Sequence, residues 1–252
     1  MIKPDCPYAT DFIPSPNREP RAKHIVDILV LHYTGMADAS SAQTRLCDPA
    51  AKVSSHYLVE ESGNIIQLVR ESERAWHAGV SSWSGETDIN SRSIGIEIVN
   101  GGHDFGLPDF PETQIDAVIK LCRNIQLRWK VPQSKVLAHS DIAPSRKSDP
   151  GEKFPWHVLD ESGVGLWVPL ERMESKDTLK VGDCSGLVAE VKSNLREFGY
   201  HVDTSTSFDN AMRDVVIAFQ RHFRPERIDG IVDDILLATL RQLLAMKRME
   251  IL

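Results

Sequence analysis

Short apolar runs rich in Val and Ile recur through the first 140 residues and predict the strands of a β-sheet. Runs of this length are typical of buried strands, whereas longer periodic stripes are typical of helices. The sequence EESGN at 60–64 supplies the Gly and Asn of a hairpin turn, so we expect the two runs that flank it to be antiparallel. The predicted strands cover residues 25–31, 53–59, 65–69, 94–99 and 135–138.

Two helices are predicted within this first region. Residues 112–129 carry apolar side chains at helical spacing from Ile115 to Trp129, and Pro111 stands near the first turn. A shorter helix is expected at 38–47, where Ser40 or Ser41 can cap its start. Strands that alternate with helices favour an α/β fold, with a mixed sheet flanked by helices.

Three further amphipathic stripes predict a small helical bundle near the end of the chain. They begin at Leu187, Met212 and Ile235; Gly199 ends the first, and Asp233 is the expected N-cap of the third. A bundle of this size is close to the smallest that forms its own hydrophobic core. The polar sequence MESKDTLKVGD before it is typical of a linker. We therefore predict a domain at 1–172, a linker at 173–183 and a three-helix domain at 184–252.

Two segments lack a clear pattern. Residues 1–23 are rich in proline and charge, so we expect an irregular arm that wraps the first domain. Residues 71–93 form a long polar stretch that contains Trp76, His77 and Trp83. A long loop in a compact domain is more often functional than accidental, so this stretch is expected to line a site.

Composition narrows the classes of function. The chain has 252 residues, 41% of them hydrophobic, and a formal net charge of −7. Nucleic-acid binding is not expected, because it is driven by clustered Lys and Arg. No apolar run is long enough for a membrane span or resembles the core of a signal peptide, so we expect a cytoplasmic protein. The alternative is the periplasm or cell envelope, if the native start carries a signal.

Metal chemistry is suggested by polar residues that follow predicted strands. His32 and His139 stand at strand ends, and Asp149 lies in the polar loop HSDIAPSRKSDPG at 139–151. Two imidazoles and a carboxylate leave one coordination position open, as in catalytic zinc sites. Each residue taken alone also fits an ordinary structural role, since strand-end histidines are usually hydrogen-bonded and Asp before Pro often caps a turn.

Several motifs occur in the order and spacing of one known family. They are LHYT at 31–34, SSHYLVEESGNIIQLV at 54–69, AWHAG at 75–79, SIGIEIVN at 93–100 and AHSDIAPSRKSDPG at 138–151. These motifs resemble the zinc-dependent N-acetylmuramoyl-L-alanine amidases, whose fold is shared with peptidoglycan recognition proteins. The resemblance covers roughly residues 25–160. The last region, especially FQRHFRP at 219–225, resembles the small peptidoglycan-binding domain often appended to such enzymes.

The resemblance implies a role for each matching residue. His32, His139 and Asp149 correspond to the zinc ligands, and Glu97 corresponds to the group that moves the proton. Lys147 matches a cation that stabilises the oxyanion, although a solvated loop lysine fits the sequence equally well. The resemblance also suggests Trp76 and His77 as substrate-binding residues; a core role for Trp76 and a loop-anchor role for Trp83 stay open.

Other polar residues receive structural roles at this stage. His56 lies within a predicted strand and is expected to be buried and hydrogen-bonded rather than a ligand. Asp141 is expected to support the site or the loop without binding the metal. The remaining histidines are expected to be structural or exposed; they are His24, His103, His157, His201 and His222.

The expected function is zinc-dependent hydrolysis of the amide between N-acetylmuramic acid, or its anhydro form, and L-alanine in peptidoglycan or soluble muropeptides. Two alternatives stay open. Proteins with this fold that lack metal ligands bind muropeptides without cutting them, and a zinc peptidase would instead cut within the stem peptide. We expect a monomer.

Overall fold

The computed structural model describes residues 3–22, 25–169 and 176–250. His24, the predicted domain boundary at residue 172 and the first residues of the predicted linker lie outside these ranges.

A six-stranded mixed sheet forms the centre of the fold. Its strands are β1 (Asp11–Phe12), β3 (Ile28–Tyr33), β4 (Tyr57–Val59), β5 (Ile65–Gln67), β7 (Ser93–Ile98) and β8 (Val136–Ala138). They lie in the order β1-β5-β4-β7-β3-β8. The pairs β4–β7, β7–β3 and β3–β8 are parallel, whereas β4 and β5 are antiparallel. The predicted hairpin and the predicted mixed sheet are therefore confirmed.

Several strand ends differ from the prediction. β3 continues to Tyr33, so His32 lies inside the strand rather than after it, because β3 pairs with β7 along its whole length. The predicted strand at 53–59 begins only at Tyr57. Its first residues are held by a loop, since Ser54 donates its backbone N–H to the carbonyl of Trp76.

The N-terminal arm and the stretch 71–93 are more regular than expected. Besides β1 at the sheet edge, the arm contains β2 (Arg18–Pro20), which pairs with β6 (Glu73–Ala75) in an antiparallel ribbon. The stretch 71–93 also contains the short helix α2 (Ile89–Arg92). Neither ribbon strand carries an apolar run, so hydrophobic patterning gives no indication of this pairing.

Helices flank the sheet. α3 (Glu112–Trp129) has the predicted bounds. α1 (Ala39–Cys47) is capped by Asp38, whose carboxylate accepts the N–H of Ser41 at 2.7 Å. The prediction that Ser40 or Ser41 caps α1 is therefore wrong. Two short helices follow: α4 (His139–Ile142) directly after β8, and α5 (Trp156–Glu161).

The predicted three-helix region is present near the C-terminus. Its helices are α6 (Gly186–Phe198), α7 (Asn210–Phe223) and α8 (Asp234–Met249). Gly199 ends α6, and the side chain of Asp233 caps α8, as predicted. The predicted linker contains a strand, β9 (Asp177–Leu179), that pairs with β10 (Val232–Asp233).

The C-terminal helices share a hydrophobic core with the sheet, which corrects the expectation of an independent core. Side chains of β3 alternate: Leu29 and Leu31 belong to the cluster that contains α3, whereas Ile28 and Val30 belong to the cluster that contains α6, α7 and α8. Because both faces of β3 are covered, its sequence is apolar almost throughout.

Membrane crossing is not indicated by the helices. Across residues 3–22, 25–169 and 176–250, no helix combines the length and the apolar character needed to span a bilayer.

Candidate metal centre

Three neighbouring parallel strands bring the predicted site residues together. β3 lies between β7 and β8, and its register places His32 beside Glu97 and Leu31 beside Ala138. His139 follows Ala138 as the first residue of α4. Because the carboxyl ends of parallel strands meet at one edge of a sheet, side chains from all three converge there.

His32, His139 and Asp149 form one buried cluster. The two Nδ1 atoms are 2.9 Å apart, and each lies 3.0 Å from Oδ2 of Asp149. The three residues are 1%, 3% and 6% exposed. They are the one group of histidine, cysteine or acidic residues within the described ranges whose geometry suits a metal ion.

The hydrogen bonds behind the cluster assign the protons on both imidazoles. Nε2 of His139 lies 3.1 Å from the carbonyl oxygen of Ala78, which only accepts, so Nε2 carries a proton and Nδ1 is the ring nitrogen that faces the cluster. Burial lowers the pKa of His32 to about 4, and His139 adds to the fall while Asp149 opposes it. His32 is therefore neutral at pH 7 and carries one ring proton.

A chain of hydrogen bonds places that proton of His32 on Nε2. Ser93 donates its hydroxyl to the carbonyl of Ile89 at 2.7 Å, so its oxygen accepts Nε2–H of His77 at 3.1 Å. Burial holds the pKa of His77 well below its ordinary value, so Nδ1 of His77 accepts from Nε2 of His32 at 3.0 Å. Nδ1 of His32 is left with a lone pair that faces the cluster.

The donor set therefore fits a metal ion. Two imidazole nitrogens and a carboxylate oxygen lie 2.9–3.0 Å from one another, so a cation placed among them would contact all three. Two nitrogen ligands and one oxygen ligand with an open fourth position are one of the sets found in catalytic zinc sites.

Glu97 lies beside the cluster with an unsatisfied oxygen. Its Oε2 is buried and has no hydrogen-bond partner among the described residues. Burial raises the pKa of Glu97 well above its ordinary value, the charge of Asp149 adds to the rise, and Lys147 opposes it. A carboxyl group in this state suits proton transfer near neutral pH.

An open cleft of about 480 Å³ leads to these residues. Lys147 lies on its wall, as does Trp76, which is half-buried. The indole N–H of Trp76 donates to Glu19 at 3.2 Å, which fixes the ring at the cleft side. Arg45, at the end of α1, also lines the cleft; no sequence motif pointed to it.

His77 lines the cleft, and its ring is also held inside the protein. It is 8% exposed, and its two ring nitrogens are bonded to His32 and Ser93. Its backbone is also fixed, because the side-chain oxygen of Asn90 accepts the N–H groups of His77 and Ala78 at 3.0 and 2.8 Å. This geometry favours support of His32 over contact with substrate, and Asn90 was not singled out by the sequence.

The remaining aromatic and histidine residues have structural positions. Trp83 is buried against Phe198 and Tyr200, so it anchors the C-terminal helices and does not line the cleft. His56 is buried, and its Nδ1 accepts the N–H of Gly95 at 3.0 Å, as expected of a structural histidine. The exposed histidines are His103, His157 and His201.

Two residues were only partly understood from the sequence. Asp141 lies outside the cluster and is hydrogen-bonded to Ala138, Tyr200 and His222, so the expectation of a supporting role agrees with its position. His222 is buried and belongs to this contact rather than to a surface.

Comparison with known proteins agrees with this architecture. The family model described as N-acetylmuramoyl-L-alanine amidase matches residues 21–152, and the model described as putative peptidoglycan binding domain matches residues 185–240. The chain is 38% identical to the N-acetylmuramoyl-L-alanine amidase AmiD of Escherichia coli (strain K12) over 220 residues, which cover 82% of this chain and 78% of AmiD.

Solved structures with similar folds agree with these sequence matches. A complex of E. coli AmiD with the substrate anhydro-N-acetylmuramic acid-L-Ala-D-gamma-Glu-L-Lys matches with a TM-score of 0.77 and 35% identity, covering 91% of this chain and 93% of that one. AMPDH3 from Pseudomonas aeruginosa matches with a TM-score of 0.73 and 33% identity, covering 88% and 92%. The predicted fold class and enzyme class are thereby confirmed, and the chain belongs to the N-acetylmuramoyl-L-alanine amidase family.

Proposed function

We propose that this protein hydrolyses the amide that joins the lactyl group of N-acetylmuramic acid, or of its anhydro form, to L-alanine of the stem peptide. The observation that carries the proposal is the cluster of His32, His139 and Asp149 beside Glu97 at the end of an open cleft. The names of similar proteins support the anhydro form, since the related AmpD enzymes are 1,6-anhydro-N-acetylmuramyl-L-alanine amidases.

Zinc is the proposed metal. His32 and His139 would hold it through Nδ1, and Asp149 would hold it through Oδ2. When bound, zinc polarises the scissile carbonyl and lowers the pKa of water from about 15.7 towards about 7. The chain's own contribution is to keep both imidazoles in the correct tautomer, through the carbonyl of Ala78 and the ring of His77.

Glu97 is the proposed proton carrier. Its Oε2 has no competing partner in the described part of the chain, so it is free to accept a proton from the attacking water. The same carboxyl then delivers the proton to the amine of the departing L-alanine. Burial raises the pKa of Glu97, which favours the protonated form that the second transfer requires.

Lys147 and Trp76 are proposed to act on the substrate itself. Lys147 lies on the cleft wall and is close enough to Glu97 and His32 to influence their pKa values. A cation there stabilises negative charge that develops on the scissile carbonyl oxygen. Trp76 offers an aromatic face on the same wall, which packs on the C–H surface of a sugar ring. His77, which also lines the cleft, is proposed to support His32.

Product analysis tests the proposal. The full chain, zinc-loaded or treated with a chelator, is incubated with anhydro-N-acetylmuramic acid-L-Ala-D-gamma-Glu-L-Lys, and the products are identified by mass spectrometry. We expect free L-Ala-D-gamma-Glu-L-Lys from the zinc-loaded protein alone. L-alanine that stays attached to the sugar would indicate a stem peptidase, and tight binding of an uncut substrate would indicate a binding protein.

Glu97→Gln is the matched control for that experiment, since it keeps the side-chain shape and the proposed ligands. The variant is expected to bind zinc and substrate and to release no peptide. We also propose that the protein acts as a monomer; light scattering that gives a mass well above the 28.2 kDa of one chain would contradict this.

A further inference from the structure

One buried carboxylate joins the C-terminal helices to the helix that carries His139. The hydroxyl of Tyr200 donates to Oδ1 of Asp141 at 2.6 Å, and Nδ1 of His222 donates to Oδ2 at 2.7 Å. The N–H of Ala138 donates to the same Oδ2 at 2.8 Å. Asp141, Tyr200 and His222 are each no more than 2% exposed. Three donors thus satisfy a carboxylate that would otherwise be costly to bury.

The helix held by this carboxylate depends on tertiary contacts. α4 has four residues, and helices shorter than about 12 residues are not stable on their own. Asp141 fixes its start by accepting the N–H of Ala138. The N–H of Ser140 donates to the carbonyl of Asp149 at 3.0 Å, so α4 also holds the backbone of a second residue of the cluster. The position of α4 therefore sets two of the three proposed ligands.

The two donors on the C-terminal side are themselves fixed. His222 stacks on Trp156 with ring centroids 3.7 Å apart. Tyr200 packs edge-on against Trp83 at 4.8 Å. Ser84 donates its N–H to the carbonyl of the residue before Tyr200, at 2.7 Å. These contacts restrict the movement of either donor away from the carboxylate of Asp141.

We propose that the C-terminal helical region is a positioning element of the metal centre, in which Tyr200 and His222 hold Asp141 and thereby set α4 and its histidine. The match to a putative peptidoglycan binding domain gives this region a binding role and leaves its buried contact with Asp141 unexplained. The inference rests on the proposed metal centre, because the property that it changes is metal affinity.

Removal of the Tyr200 hydroxyl tests the inference with minimal change of shape. Tyr200→Phe is compared with wild type by chelator competition for zinc and by the absorption spectrum of the cobalt-substituted protein. Outer partners of metal ligands typically contribute about 10- to 100-fold in affinity. Because Asp141 acts through the backbone of α4, we expect about a tenfold loss of zinc affinity and an altered cobalt spectrum.

Tyr57→Phe is the matched control. The hydroxyl of Tyr57 is also buried and donates to a carboxylate, that of Glu71, at 2.5 Å. Glu71 is bonded to Arg128 and Trp129, and within the described residues its carboxylate makes no hydrogen bond to α4. This variant is expected to lower thermal stability by a similar amount and to leave zinc affinity and the cobalt spectrum unchanged.

His222 provides a second and independent test. His222→Asn keeps an N–H donor near the position of Nδ1 and is expected to retain most of the zinc affinity. His222→Leu has no such donor, and its zinc affinity is expected to fall as much as that of Tyr200→Phe. Equal affinities of the Asn and Leu variants would contradict the positioning role. So would a Tyr200→Phe protein that loses stability yet binds zinc with wild-type affinity and spectrum.

The outcomes separate this inference from the proposed function. A wild-type chain that binds no zinc at all would contradict both the proposed metal centre and this inference. A wild-type chain that binds zinc and cuts the substrate, together with a Tyr200→Phe variant of unchanged metal affinity, would overturn the inference alone.

Discussion

Gly95 lies where an added methyl group would strike the histidine that supports the metal centre. A Cβ on Gly95 would lie 2.4 Å from Cγ of His77 and 2.6 Å from Cδ2 and Nδ1. Gly95 belongs to β7 and is not among the glycines with positive φ, so Ala fits the backbone conformation. The hydrogen bonds between Gly95 and His56 use only backbone atoms of residue 95 and survive the substitution. Gly95→Ala is therefore a steric perturbation of His77.

The size of the effect follows from the distances. The 2.4 Å contact has to open by about 1 Å to reach 3.4 Å, the short end of ordinary van der Waals contact. His77 holds His32 at 3.0 Å and Ser93 at 3.1 Å, so a displacement of about 1 Å away from either partner would take that distance to about 4 Å, beyond hydrogen-bond range. We expect zinc affinity to fall about 10- to 100-fold and stability to fall by about 1–3 kcal/mol.

Chelator competition measures the affinity, and thermal unfolding of the metal-free protein measures the stability. Gly186→Ala is the matched control, because Gly186 is the first residue of α6 and an added Cβ there meets no atom within 4 Å. It is expected to leave zinc affinity unchanged and to keep or raise stability, since Ala favours helices more than Gly by about 1 kcal/mol.

A double-mutant cycle tests whether the effect passes through His77. His77→Ala alone is expected to weaken zinc binding, and adding Gly95→Ala to it is expected to cost no further affinity, because the clash is gone. Wild-type zinc affinity in Gly95→Ala would refute the reasoning, and additive losses would show that the effect reaches the metal centre by another route.

Three other predictions concern single side chains. Glu97→Gln is expected to keep one zinc per chain and to lose about 10²- to 10⁴-fold in kcat; full activity would refute its proposed role. His139→Ala is expected to lose stoichiometric zinc, measured by atomic emission, together with activity; a variant that keeps one zinc would exclude it as a ligand. Burial alone would raise the pKa of Asp27, but hydrogen bonds from Arg92 and Lys135 overcome this and lower it. A carboxyl group whose pKa is lower in the folded than in the unfolded protein stabilises the fold at pH values above its unfolded pKa, which is about 3.9 for Asp. That stabilisation is lost as the pH falls through the folded pKa. Asp27→Asn is therefore expected to be less stable than wild type by about 1–3 kcal/mol at pH 7, with the gap closing below about pH 4 in denaturant titrations; a constant gap would contradict this.

The sheet and the cluster are predicted well from the sequence because the patterns that indicate them lie within short stretches of the chain. The run IVDILVL is apolar on both faces of a strand, which indicates a buried position whatever covers it. Ser93, Gly95 and Glu97 alternate with three isoleucines in β7, and the polar face of that strand turns towards the site. His139 and Asp149 follow from the motif that contains them.

The contacts between distant parts of the chain were not predictable in the same way. An apolar helical stripe shows that one face is buried but not against which partner, so the shared core of the sheet and the C-terminal helices was missed. Tyr200 and His222 reach Asp141 across 59 and 81 residues of sequence. The position of His77 behind His32 likewise depends on the loop fold and not on the AWHAG motif alone. The cytoplasmic location stays a prediction.

The most direct test of the proposed activity follows oxygen from water into the product. The zinc-loaded protein is incubated with the anhydromuramyl tripeptide in H₂¹⁸O, and the chelated and zinc-restored forms are run beside it. The proposal predicts one ¹⁸O in the lactyl carboxylate of the sugar, an unlabelled peptide with a free L-alanine amine, and activity that disappears with zinc and returns with it. Label in a peptide carboxylate, or turnover that persists without metal, would contradict a zinc amidase.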